Sequence, residues 1–234
     1  MMIIGIGLKT YYSIQHVQAA AYLTRRASRI ESNLTDETAP EAIALKGYVS
    51  SALFSSVAFL EALANEIYAD AMQPDGSHLS ALPERDRSMI ASLGETESIQ
   101  KASILAKYDL LLRGAGRTPL QKDRDPYRAT ATVIKLRNEI VHYKASFFDV
   151  GTEGMARPGN FHQSNLPQQI KGKFEPRKSA SGLSGDGWLS YGCAQWAVTS
   201  AIEYADAVFD ILGVPPYFDH VRNVLNTSPS DCDT

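Results

Sequence analysis

The stretch LRNEIVHYK, Leu136 to Lys144, places Arg137, Asn138 and His142 within six residues, among Leu, Ile and Val. These residue types suit phosphoryl chemistry. A histidine titrates near neutral pH and can move a proton. An arginine fork can hold and neutralise phosphate or phosphorane oxygens. An asparagine can orient either group or hydrogen-bond the phosphate itself. No metal enters this reading, because the His and carboxylate spacings of the chain match no ligand set. A second reading stays open. His142 is equally a plain helix-surface histidine, and Arg137 a structural residue whose stem packs in the core while its head finds a carboxylate.

The helix that must position these residues has a well-marked start. Asp125 fits the N-cap and Pro126 the first helical position, and the pattern runs to about Phe147. On a wheel of 100° per residue, Val133, Leu136, Ile140, Tyr143 and Phe147 form the core stripe, widened by Ile134, Val141 and Phe148. Arg137 falls inside that apolar arc. Asn138 and His142 share a face that points away from it. Arg137 and His142 stand roughly 140° apart, so one helix does not bring them to one small target. Two copies facing each other across a two-fold axis can.

The periodicity is helical elsewhere too, which predicts an all-α bundle of four or five main helices. Residues 13–32 form the first. In the second, Thr38 and Glu41 have capping-box spacing, and Leu45, Val49, Leu53, Ser56, Leu60, Leu63 and Ile67 make one stripe ending near Met72. Shorter helices are predicted over 83–93 and 96–113, stopped by Gly94 and Gly114. From 149 to 186, Gly, Pro, Ser, Gln and Asn dominate and no period survives. A loop this long is functional or mobile. The last long helix has Asp186 as its cap, a stripe from Trp188 to Leu212, and Gly213 with Pro215 as its stop. A short helix around 216–226 precedes a polar tail, 227–234, expected to be disordered. The apolar start, MMIIGIGLKTYY, reads as a first strand or a core-packed arm, being too short to span a membrane. Residues 1–226 are thus expected to form one domain.

Arg, a polar residue, three more residues and then His, on a late helix of an all-α bundle, resembles the R-x4-6-H motif of the HEPN superfamily (higher eukaryote and prokaryote nucleotide-binding). The helix SSALFSSVAFLEALANEIYAD resembles the family's earlier helix, with Glu61 and Asn65 near its end. The resemblance covers about 40–73, 126–147 and the last long helix. A second Arg-x4-His match, Arg157 to His162, contains Pro158 and Gly159, which exclude a helix. The resemblance implies a metal-independent endoribonuclease. In it the substrate's own ribose 2′-OH attacks the adjacent phosphate, and Arg137, Asn138 and His142 form a composite site in a homodimer. It also implies a toxin–antitoxin or antiphage-defence setting, with an antitoxin or defence-system partner protein. The alternative is a non-catalytic HEPN module that binds nucleotide or RNA, or dimerises as a scaffold. One toxin subfamily carries a modifiable Tyr two residues after the His. Lys144 stands there in this chain, which departs from that control mechanism.

Glu61 neighbours Val57, Ala58, Ala64 and Asn65 at helical spacing and is expected to be partly buried. It serves either as the partner that orients Arg137 or as a structural salt bridge. Residues 113–144 carry eight Lys or Arg and three Asp or Glu, a net of +5, within a chain of net −3. Arg128, Lys135 and Lys144 are the RNA-binding candidates from this stretch, beside Arg117 and Arg124. Lys171, Lys173, Arg177 and Lys178, at the basic end of the long loop, are placed to reach RNA as well. The charged fraction of 21% and hydrophobic fraction of 44% are ordinary for a globular protein. Cys193 and Cys232 form neither a metal pattern nor a disulfide framework, which fits a reducing cytoplasm. No cofactor and no membrane partner are expected.

Overall fold

The computed structural model describes residues 9–36, 38–73, 78–142, 166–177 and 187–228. These residues are all-α, with no strand among them. In chain order the helices are α1 (Tyr12–Asn33), α2 (Pro40–Ala71), α3 (Glu84–Gly94), α4 (Glu97–Lys101), α5 (Ile104–Gly114), α6 (Tyr127–Val141), α7 (Leu166–Ile170) and α8 (Tyr191–Leu212). A 3-10 turn, Asp219–Val224, follows.

The long helix α2 is the spine. All seven residues of its predicted stripe, Leu45 to Ile67, are buried. Burying a Leu or Ile side chain contributes about 1.5–3 kcal/mol, so this one face supplies much of the core. The same helix has the length and composition to cross a membrane. Here its apolar side packs inside the bundle, where Phe59 meets Phe218 edge-on at 5.3 Å. The capping box does not form. The N–H and hydroxyl of Thr38 both bond Asp36 Oδ1, at 2.8 and 2.7 Å. A carboxylate two residues back offers Thr38 a local turn, and Pro40 starts the helix without needing a donor satisfied.

Helix α1 runs antiparallel to α2. Its buried Ala20, Ala21, Thr24 and Ala27 are small enough for close approach. A polar clasp ties its far end. The Ser13 N–H donates to Glu66 Oε1 at 2.9 Å, and the Tyr11 hydroxyl to Asp70 at 3.1 Å. Lys9 ion-pairs with the same fully buried Asp70. Residues 1–8, read as a strand or arm, lie outside the described residues.

Three boundaries differ from expectation. The helix over 96–113 is two helices, broken at Ala102, whose ψ of 148° is extended. Ile99 and Ile104 are both buried, and on one unbroken helix residues five apart point about 140° apart. The break lets both reach the core. Second, α8 starts at Tyr191, capped by Ser190, whose hydroxyl accepts from the Cys193 N–H at 3.2 Å. Asp186, the expected cap, lies outside the described residues, and Trp188 precedes the helix. Third, Thr227 is buried and accepts from Gln195 Nε2 at 3.2 Å, so the chain is held at the first residue of the expected tail. Residues 229–234 lie outside the described residues. The stop at Gly213 is as read. It is left-handed at φ 75°, and its N–H and that of Val214 close the last turn on the Phe209 carbonyl.

Part of the 149–186 stretch is built into the fold. Helix α7 buries Leu166 and Ile170. The chain after it docks on the start of α8, where Ser190 donates to the Glu175 carbonyl at 2.8 Å. A Cβ on Gly192 would stand 3.0 Å from that carbonyl oxygen, a tight contact that glycine avoids.

Candidate functional site

Helix α6 carries the motif, and its sequence explains how it is fixed. Asp125 Oδ1 accepts from the Ala129 N–H at 3.1 Å, satisfying an orphan donor of the first turn. Thr130 is fully buried and donates to the Ser200 carbonyl of α8 at 3.0 Å. Val133 and Leu136 are fully buried, while Ile134 and Ile140 are half-buried. Val141, expected to widen the core stripe, is 52% exposed. The helix ends there, with the His142 N–H bonding the Asn138 carbonyl at 2.9 Å. The predicted continuation to Phe147 falls outside the described residues.

The motif side chains divide as the helical wheel requires. Asn138 and His142 are exposed. Arg137 is half-buried, and its Nε is enclosed without a hydrogen-bond partner. Among the described residues no hydrogen bond or ion pair links Arg137 to His142 or to Glu61. Glu61 is exposed on α2, not partly buried, and does not serve as the partner of Arg137. Its neighbour Asn65 accepts from Lys107 Nζ at 2.8 Å and braces α5.

Beside the exposed face lies an open groove of about 560 Å³. Arg128, Thr132 and Lys135 line one wall from α6, Lys171 and Lys173 the other, and Lys122 joins them from the preceding turn. Its charges are partly braced. Asp125 holds Arg128 at 3.4 Å and Lys173 at 3.3 Å, and Asp109 holds Lys122 at 3.4 Å. Burial opposes the charged form of Asp125, yet the hydrogen bonds from Arg128 and Lys173 outweigh it and keep its carboxyl below the usual range. Lys135 donates to Gln169 Oε1 at 3.4 Å, tying α6 to α7.

Of the RNA-binding candidates, Arg128 and Lys135 therefore meet in one groove, and Lys144 lies outside the described residues. Lys171 and Lys173 join them. Arg177 does not: it is 4% exposed, beneath the loop end, where its N–H bonds the Gly187 carbonyl at 2.9 Å. Lys178 and the loop pair Arg157 and His162 lie outside the described residues. Lys122, Thr132, Gln168 and Gln169 were not singled out from the sequence. For Thr132 the signal was present, since 128, 132 and 135 recur at helical spacing. For the other three it was not, since only packing of the 121–125 turn and α7 against α6 assembles them. Among the described residues no cluster of three His, Cys, Asp or Glu could hold a metal ion.

Comparison with protein-family models, with curated proteins and with solved structures finds no match to this chain.

Proposed function

We propose that this protein is a HEPN-type endoribonuclease that cleaves RNA without metal, acting as a cytoplasmic homodimer in a toxin–antitoxin or antiphage role. The observation that carries the reading is the end of α6, where Asn138 and His142 stand exposed one helical repeat beyond Arg128 and Lys135. Lys135 and His142 differ by only about 20° around the helix and about 10 Å along it. A chain held by the cations thus reaches the histidine. In this reading the His142 imidazole moves the proton of the attacking 2′-OH or of the leaving 5′-oxygen. Arg137 of the facing protomer neutralises the phosphorane, and Asn138 fixes the phosphate. Arg137 is half-buried, and among the described residues no ion pair holds its guanidinium, which supports a role toward an anion brought by substrate.

The second reading, a non-catalytic RNA-binding module, is favoured by the separation of Arg137 and His142 within one protomer. One experiment separates the two. Purified protein is incubated with single-stranded RNA in EDTA, and its mass is measured by light scattering. Cleavage by a dimer, lost in His142→Ala, supports the enzyme. Binding without cleavage, or a strict monomer at micromolar concentration, replaces it with the binding module.

A further inference from the structure

The groove between α6 and α7 has a chemistry of its own. Among the described residues its cations are Lys122, Arg128, Lys135, Lys171 and Lys173, on both walls, and its neutral polar side chains are Thr132, Gln168 and Gln169. Asp109 braces Lys122, and Asp125 braces Arg128 and Lys173. Among the described residues no aromatic side chain lines it, so these residues offer bases no stacking platform of the kind that sequence-tolerant single-strand binders use. What it offers is charge on two sides of an open groove. A volume near 560 Å³ is that of a small-ligand cleft. It has room for a short stretch of a single strand.

We infer that this groove is a holding site for the sugar–phosphate backbone of single-stranded RNA, separate from the reacting phosphate and indifferent to base sequence. The inference rests on the ribonucleic acid reading above and specifies what part of that substrate the α7 segment takes. The α6 wall from Arg128 to Lys135 is about 10 Å long. At about 3.4 Å per stacked nucleotide it faces two to three phosphates. A further 10 Å or so separates Lys135 from His142, so the held phosphates lie about three nucleotides from the scissile one. The segment after α7, usually read as loop, is then a wall of the substrate channel. Its basic residues are positioned by the docking of Leu166 and Ile170 and by the Lys173–Asp125 pair.

The test measures binding in the His142→Ala background, so that the RNA stays whole. Lys135→Gln combined with Lys171→Gln removes one cation from each wall. A control pair, Arg85→Gln with Lys101→Gln, removes two exposed cations that do not line the groove. Each lost phosphate contact lowers the slope of log K against log salt by about 0.7 on a single strand. The groove pair should therefore lower it by about 1.4 and weaken binding about 25-fold at 0.1 M salt. The loss should be equal for oligo-A and oligo-U, and a duplex of the same length should bind less tightly than either strand. The control pair should keep the parental slope. Equal affinity and slope in the groove pair and the control pair would overturn the inference, as would tighter binding of the duplex. Wild-type cleavage in EDTA is read separately. Cleavage with unaltered groove-pair binding sinks the groove alone. Groove-dependent binding without cleavage sinks the enzyme and leaves the groove.

Discussion

Arg137→Met should stabilise the protein while removing cleavage. The guanidinium Nε is enclosed, and among the described residues it has no hydrogen-bond partner and no carboxylate forms an ion pair with the head. A buried donor left unmade costs about 1–3 kcal/mol. Because Arg137 is only half-buried, the lower end applies. Methionine retains an unbranched apolar stem beside Leu136 and Ile140, so little packing is lost. The expected gain is about 1 kcal/mol, or roughly 2–4 °C in Tm for a chain of this length. Calorimetry at neutral pH and urea unfolding with unchanged m-value would measure it. Single-stranded RNA should raise the Tm of the His142→Ala protein more than that of the doubly substituted Arg137→Met, His142→Ala protein, since only the former retains the anion-seeking head. A fall in Tm of several degrees would refute the reasoning. It would show that Arg137 is satisfied in the fold and acts as a structural ion-pair residue.

Three further outcomes follow from the same structure. His142→Ala should change stability by no more than about 0.5 kcal/mol, because the side chain is exposed at the helix end, yet should abolish cleavage in EDTA; cleavage assays and urea melts on one preparation decide this. Asp125→Asn should destabilise the protein at pH 7, with the difference disappearing in acid. Its folded-state pKa is depressed, so its contribution is present above the unfolded value near 4 and is lost as pH falls through the lower folded value. Melting curves from pH 7 to 2 would show a constant deficit instead if the carboxylate charge were irrelevant. Finally, the Cys193 thiol is fully buried and its pKa is pushed up by that burial. Its peptide should stay unalkylated by iodoacetamide in the native protein and label only with unfolding; mass spectrometry showing rapid native labelling would contradict this.

The local patterns of the chain determined the helices and their buried faces. The stripe from Leu45 to Ile67, the start of α6 at Tyr127, one residue beyond the expected Pro126 and held by Asp125, and the stop at Gly213 all rest on forces that act within a few residues. A hydrophobic period, a first-turn hydrogen bond and a left-handed glycine need no partner element to be read. The tertiary structure decided which polar groups are covered and which meet. Glu61 sits at a spacing that reads as half-buried, but no described helix covers that side of α2, and it is exposed. Arg177 reads as a loop cation and is enclosed, because the chain after α7 folds back beneath the start of α8. The break at Ala102 arises because Ile99 and Ile104 must reach the same core from one short stretch. The groove is the same case at larger scale. Lys122, Lys135 and Lys171 lie far apart in sequence, each an ordinary solvated charge on its own element, and only the packing of α7 on α6 brings their charges to one channel.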